Sequence, residues 1–271
     1  MANLLEVQNV TKYFGGLRAV NSVSFDVQDH EILGLIGPNG AGKTTLFNLI
    51  SGVFRPTSGR IVFDGKDITK ASLQKTAMQG VIRTFQITSL FMDMTVLDNI
   101  LIGTVRPSRV QYLSALLSLP SERSGSRWAK QKAEQVMDFM EITHLRHQYA
   151  RNLPYGHQKM LGISIALAAE PRLLLLDESL TGMNPVETTQ MLGHLRRMRE
   201  AGLTLVVVEH NMSAVMAVVD RLVVLNFGEK LAEGSPSEVR MNQAVIEAYL
   251  GVEQRTSEVR RDPHNQGSMR T

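Results

Sequence analysis

The sequence predicts an α/β fold: a parallel sheet with crossover helices, preceded by an antiparallel β portion and interrupted by a long helical insertion. Three observations carry this expectation. Residues 31–36 read as a buried strand that runs into a glycine-rich turn, and residues 45–50 open a helix directly after it. Apolar strand-like runs return at 173–176, 203–208 and 221–226, separated by a helical stretch over 186–200. That alternation is the pattern of a parallel sheet with helical crossovers. Short β-branched runs dominate the first 65 residues, and Val23-Ser24-Phe25-Asp26-Val27 alternates as a half-exposed antiparallel strand does.

Taken in order, the runs at 5–10, 22–27, 32–36 and 60–63 are strands, and Asp64-Gly65 after the last is a hairpin turn signal. From about Ala71 to Glu170 the apolar residues fall three and four apart, with few strand-like runs, which predicts helices. Ser235-Pro236-Ser237-Glu238 is a capping box with proline at the first helical position, so a last helix is expected from there to about Leu250. Beyond Gly251 the chain is polar and without periodicity. The expected organisation is one domain over 1–251, with a helical subdomain at about 88–160 inserted in the core, and a poorly ordered tail over 252–271.

Composition narrows the function classes. At 271 residues, with 43% hydrophobic and 20% charged residues, the chain resembles an ordinary soluble globular protein with one large core. A net charge of +3, with the basic residues spread out, gives no footprint for nucleic acid. The basic stretch from Arg106 to Lys132 reads as a solvated helical excursion, with a lipid- or partner-facing patch as the alternative. No cysteine is present, which excludes disulfides and zinc–thiolate sites. Residues 1–6 lack a basic segment leading into an apolar one, and the longest apolar runs are too short to span a bilayer. An intracellular, soluble protein is expected.

The turn itself names a ligand. Gly37-Pro38-Asn39-Gly40-Ala41-Gly42-Lys43-Thr44 matches G-x-x-x-x-G-K-[ST] in full. Its glycines let consecutive backbone N–H groups point inward around phosphate oxygens with no Cβ in the way. Lys43 then reaches the β and γ phosphates, the Thr44 hydroxyl ligates Mg²⁺, and Thr45 opens a helix whose N-terminus favours anions. A nucleoside triphosphate is the expected ligand.

Hydrolysis needs more than a cradle: a carboxylate for the metal, a base for water and a group near the γ-phosphate. Leu173-Leu174-Leu175-Leu176-Asp177-Glu178 is an apolar strand that delivers two acids at its carboxyl end, where α/β sheets place ligands. Asp177 is expected in the Mg²⁺ shell, and Glu178 as acceptor of the water proton. Val206-Val207-Val208-Glu209-His210 is a second such strand; taken alone its histidine is an ordinary surface residue, but downstream of these motifs it reads as a γ-phosphate contact. Gln86 sits where the strand-rich part gives way to helices, positioned to touch both the metal shell and a docking partner.

The ordered set Phe14, 37–45, Gln86, 153–158, 173–178 and His210 resembles the ATP-binding subunits of ABC transporters, over nearly the whole chain. The resemblance implies a P-loop NTPase (RecA-like) core with an antiparallel β subdomain and an inserted α-helical subdomain. It implies that Phe14, or else Tyr13, stacks on adenine, that Gln86 is the Q-loop glutamine and that His210 is the switch histidine. Pro154, Tyr155, Gly156 and His157 fall where the family carries its signature, a helix N-terminus that completes the γ-phosphate site of a second subunit in trans. Asn152 is expected to cap that helix, with Pro154 in its first turn. The stretches 152–156, 182–188, 208–212 and 248–251 are similar to the branched-chain amino-acid importer ATPases, with Asn184 at the D-loop position that meets the partner's phosphate loop. ATP and Mg²⁺ are the implied cofactors. The implied partners are two transmembrane permease subunits, a second ATPase subunit and, through the permeases, an extracytoplasmic solute-binding protein. The implied place is peripheral, on the cytoplasmic face of the inner membrane.

Departures accompany the likeness. Pro154 stands for the signature serine, Tyr155 for its first glycine and His157 for its glutamine; Met160 and Ile165 replace two arginines, and Ser179 the proline after the catalytic glutamate. Retained but slowed hydrolysis is the expectation, since a lost charge-assisted contact weakens a site by about 1.5–3 kcal/mol. Other cargo (urea or amides, lipid export), a weakly hydrolysing regulatory subunit and a soluble ATPase acting on DNA or ribosomes are the alternatives.

Overall fold

The computed structural model describes residues 3–84, 90–105, 121–209 and 211–249. Strands β1 (Asn3–Phe14) and β2 (Leu17–Gln28) form a long hairpin, joined by β4 (Ser58–Phe63) and β5 (Lys66–Asp67) into an antiparallel sheet ordered β2-β1-β4-β5. The β4–β5 turn is Asp64-Gly65, with φ of 49° and 70°. Two positive φ values in succession make the mirror-image turn that suits strand twist, as the dipeptide predicted.

A second sheet holds β3 (Ile32–Ile36), β6 (Val81–Arg83), β7 (Leu173–Asp177), β8 (Thr204–Val208), β9 (Arg221–Asn226) and β10 (Glu229–Gly234), in the order β10-β9-β3-β8-β7-β6. β9, β3, β8, β7 and β6 run parallel, and β10 closes the edge antiparallel to β9. β6 lies inside the stretch expected to be helical. Its three residues are too few to show a period, and only pairing with β7 makes them a strand.

Helix α1 (Lys43–Ile50) lies between the two sheets: its Leu46, Phe47, Leu49 and Ile50 share one core with Leu33, Leu35, Leu173 and Leu175 of the parallel sheet and Leu5, Val7 and Ile61 of the antiparallel one. The alternate residues Ile32, Ile36, Leu174 and Leu176 face a second core, with the helices on the far side. Both faces of the sheet are covered, which is why its strands are continuous apolar runs instead of alternating ones. That second core receives α3 (Val96–Gly103), α4 (Ser121–Phe139), α5 (Tyr155–Ala168), α6 (Pro185–Glu200) and α7 (Met212–Met216); α2 (Leu73–Met78) leads into β6.

The last helix departs from expectation. α8 spans Pro236–Met241 with the foreseen Ser235–Glu238 capping box, then breaks at Asn242, whose ψ is 115°, and a helix α9 follows over 243–249. Asn242 accepts the Val245 amide through Oδ1 and so starts the new turn. Residues 252–271, expected as a poorly ordered tail, and 106–120 of the basic stretch lie outside the described residues. Among the described residues, no helix is long and apolar enough to cross a membrane.

Candidate nucleotide site

β3 delivers the chain to Gly37, where φ is +151° and a Cβ would lie 2.1 Å from the Leu225 carbonyl oxygen. Only glycine fits there. Gly42, at φ +98°, caps α1, and a Cβ on it would stand 2.5 Å from the Ala19 carbonyl. Between them Pro38, Asn39, Gly40 and Ala41 complete the loop, closed by the Ala41 amide donating to Pro38 at 3.2 Å. No side chain caps α1, so its first amides stay available at the loop. Asn39, Gly40, Lys43, Thr44 and Thr45 line a cleft of about 630 Å³ together with Glu178. The sequence-expected phosphate cradle and the expected base therefore share one cavity.

The Lys43 ammonium donates to the Gly37 and Pro38 carbonyls at 2.7 and 2.9 Å. Burial lowers its pKa, opposed by the charges of Glu178 and Asp177. The lysine thus sits in the field of both acids that end β7. Thr44 is exposed, and Asp177 and Glu178 are half-buried. Among the described residues no group of three His, Cys, Asp or Glu could cage a metal. A hydroxyl and one carboxylate beside a phosphate cradle fit Mg²⁺, which takes one or two carboxylates and completes its shell with water and phosphate oxygens.

Asp177 is held by a residue the motif reading did not assign. Arg83, at the end of β6, donates to Asp177 Oδ2 at 2.6 Å and to Asn48 Oδ1 of α1, with its guanidinium over the Phe47 ring at 5.8 Å. The next residue, Thr84, donates its amide to the Leu175 carbonyl at 2.9 Å. Gln86 lies outside the described residues.

The backbone around Glu178 is fixed on several sides. Glu178 has φ +51°, its amide donates to Val208 at 2.9 Å and its carbonyl accepts from Lys159 Nζ at 2.7 Å. Glu209, at the end of β8, takes the Leu180 amide and the Ser179 hydroxyl on Oε1. His210, the expected γ-phosphate contact, lies outside the described residues.

α5 carries the expected signature, but its cap differs. Asn152 ends a one-turn 3₁₀ helix (Ala150–Asn152), and the N-cap is Pro154, with no side-chain bond to the first turn. Gln158 instead reaches back to the Leu153 and Ala150 carbonyls at 3.1 and 3.3 Å. Tyr155 is exposed and packs on Gly182, where a Cβ would stand 2.7 Å from its ring. Gly156 is buried against Glu187, and His157 Nδ1 is buried without a partner, its ring edge-on to His144. Asn184 is the N-cap of α6, accepting from Val186 and Glu187 in a capping box. The start of α5 and the segment that leads into α6 thus pack on each other, Tyr155 on Gly182 and Gly156 on Glu187.

Phe14 ends β1, 41% exposed and edge-to-face with Phe54 at 5.3 Å, under the Lys12 ammonium. Tyr13, the alternative, is equally exposed and lies under Arg18. Leu17 and Arg18, on the other arm of the hairpin, line the phosphate cleft. From the far end of the chain, Tyr249 comes to the Gly37 backbone; burial pushes its phenol up to about 12, against the pull of that hydrogen bond. Arg83, Lys159, Glu209 and Tyr249 were not assigned from sequence because their partners lie 19 to 212 positions away in the chain (for Tyr249, 249 − 37) and no local pattern marks such pairs.

The likeness to known proteins agrees with this geometry. The ABC transporter family profile matches residues 20–181, and that of the branched-chain amino acid ATP-binding cassette transporter matches 229–254. The chain is 40% identical over 249 residues, 92% of its length and 98% of the relative's, to a high-affinity branched-chain amino acid transport ATP-binding protein of Pseudomonas aeruginosa. It is 39% identical to a protein of the same description from Escherichia coli, with the same coverage. Among solved structures, a nucleotide-free ATP-binding cassette from an ABC transporter superposes with a TM-score of 0.81 at 31% identity, covering 92% of this chain and 99% of that one. A structure of the ADP conformation of an ATP-binding cassette of an ABC transporter gives the same score and identity, covering 93% and 100%. With the phosphate loop after β3, the two acids at the end of β7, a family match over residues 20–181 and relatives of this identity and coverage, the chain belongs to the ABC transporter family as one of its ATP-binding cassettes.

Proposed function

We propose that this cassette binds ATP with Mg²⁺ and hydrolyses it to power an ABC importer of branched-chain amino acids. One observation carries the hydrolytic part: Glu178 lines the same cleft as Asn39–Thr45 of the phosphate loop, and its charge acts on Lys43. Lys43 and the loop amides hold the phosphates, while Thr44 and Asp177 supply hard oxygens for the metal. Magnesium, when bound, neutralises charge developing on the phosphate oxygens. Glu178 orients the attacking water and accepts its proton. Gln86 and His210 complete the set as metal and γ-phosphate contacts, and Phe14 as the adenine platform.

A second ATPase subunit supplies Pro154–His157 across the interface, where the uncapped first turn of α5 faces the γ-phosphate and Asn184 meets the partner's loop. Closure does work only because ATP binds the closed pair better than the open one. The helical insertion of about 88–160 carries that motion to two permease subunits at the cytoplasmic face of the inner membrane, beneath a solute-binding protein. The cargo reading is supported by the relatives' descriptions and by the 229–254 match.

The test is ATP turnover by the chain assembled in lipid with its neighbouring-gene permeases, with and without a leucine-loaded binding protein. Stimulation by leucine that vanishes in Glu178→Gln is the expected result. Turnover indifferent to leucine would move the cargo to amides, urea or lipid, and parental turnover in Glu178→Gln would remove the base assignment.

A further inference from the structure

We propose that Glu209 is a positioning residue for hydrolysis: its buried carboxyl holds the segment that follows Glu178 against the end of β8. The proposal rests on reading Glu178 as the base. Glu209 is 2% exposed, and its Oε1 accepts the Leu180 amide at 2.5 Å and the Ser179 hydroxyl at 3.2 Å. Ser179 and Leu180 are themselves buried. A carboxyl in such a place needs partners to persist, and these two donors supply them.

What the contact restrains is the backbone of Glu178. At φ +51° a glutamate occupies the left-handed region, which a residue with a Cβ holds only when its surroundings over-determine it. Three restraints converge there: the Glu178 amide on Val208, the Glu178 carbonyl on Lys159, and the Ser179–Leu180 pair on Glu209. Val208 and Glu209 are consecutive, so the end of one strand grips residues 178 to 180 twice. Without the Glu209 oxygen the buried Leu180 amide has no acceptor, and the strained turn can relax. The Glu178 carboxylate would then leave the line of attack.

Ser179 sharpens the point for this chain. Its hydroxyl adds a second donor to the oxygen that already takes the Leu180 amide. The role asks only for an acceptor, not a charge. Burial raises the Glu209 pKa, with the Glu178 charge adding to the rise, against the Leu180 and Ser179 bonds and the Lys159 charge. Glutamine can serve in its place.

The experiment compares the full chain, assembled with its permeases, as parent, Glu209→Ala, Glu209→Gln, Ser179→Ala and Glu178→Gln. Three readouts are taken: kcat, affinity for a fluorescent ATP analogue, and amide hydrogen exchange over 178–182. Glu209→Ala should lower kcat about tenfold to a hundredfold, leave nucleotide affinity within about twofold, and expose the Leu180 amide to exchange. Glu209→Gln should recover both rate and protection, and Ser179→Ala should fall between. Parental kcat in Glu209→Ala overturns the proposal. So does a Glu209→Gln as slow as the alanine variant, or a loss of affinity equal to the loss of rate. Should Glu209→Ala not fold, Glu209→Gln and Ser179→Ala still decide, because an unprotected Leu180 amide in the glutamine variant, or an unchanged rate in Ser179→Ala, counts against it. Parental turnover in Glu178→Gln would instead remove the base reading, while the exchange data would still report whether Glu209 holds the segment.

Discussion

Arg83 and Asp177 meet at 2.6 Å across the ends of two parallel strands, their side chains 10% and 13% exposed. The arginine also grips Asn48 behind the phosphate loop, so the carboxylate expected to face magnesium is tied to the helix that starts at Lys43. One buried guanidinium thereby links β6, β7 and α1.

Replacing Arg83 by methionine leaves a mostly buried carboxylate without its cation. A loss of about 3 kcal/mol in unfolding free energy is expected, with Arg83→Lys intermediate because an ammonium cannot fork to both Asp177 and Asn48. Urea unfolding with and without Mg–ATP measures it. Added Mg–ATP should recover more stability in the methionine variant than in the parent, since the metal supplies the charge that Asp177 has lost.

Lys43 donates to two loop carbonyls and is the cation of the cradle. Exchanging it for alanine should weaken ATP binding about tenfold to a hundredfold, the weight of a charge-assisted hydrogen bond of roughly 1.5–3 kcal/mol. Equilibrium titration with a fluorescent nucleotide reads this directly. Unchanged affinity would mean that the phosphates do not sit over the loop.

Gly182 lies under the Tyr155 ring at φ +84°. An alanine there strains the backbone and drives its Cβ into the ring, which must swing away from residues 182–184. Loss of about 1–3 kcal/mol in stability is expected, with turnover reduced because the start of α5 and the segment leading into α6, the signature and D-loop of the proposed function, no longer pack as one surface. Pairing it with Tyr155→Ala, which removes the clash, should recover part of the stability, as a double-variant cycle in thermal melts would show.

His194 is 4% exposed on α6, and its Nδ1 is buried without a partner. Burial lowers its pKa below the usual 6.5, opposed by the Glu141 charge and assisted by Arg197. The unfolded chain therefore binds a proton that the fold refuses. Stability contributed this way is complete above pH 6.5 and declines as pH falls below it. His194→Leu should flatten that decline, visible as a smaller drop in Tm between pH 7.5 and 5.5.

Local pattern by itself determined the phosphate loop, the two acids ending β7, the Asp64-Gly65 turn, the Ser235–Glu238 capping box and the parallel core. Each of these is set by neighbours within a few residues: glycines that permit positive φ, caps that satisfy first-turn amides, and apolar runs long enough to bury a strand on both faces. The structure decided what the period could not reach. Three residues at 81–83 became a strand only by lying beside β7, and the closing helix broke at Asn242 because a side chain there restarts the hydrogen-bond pattern. Arg83 on Asp177, Lys159 on the Glu178 carbonyl, Glu209 on the segment behind it and Tyr249 on Gly37 are all pairings between distant parts of the chain. Their energies come from burial and from geometry across elements, and neither exists until the two sheets and the helices packed on them have closed on one another.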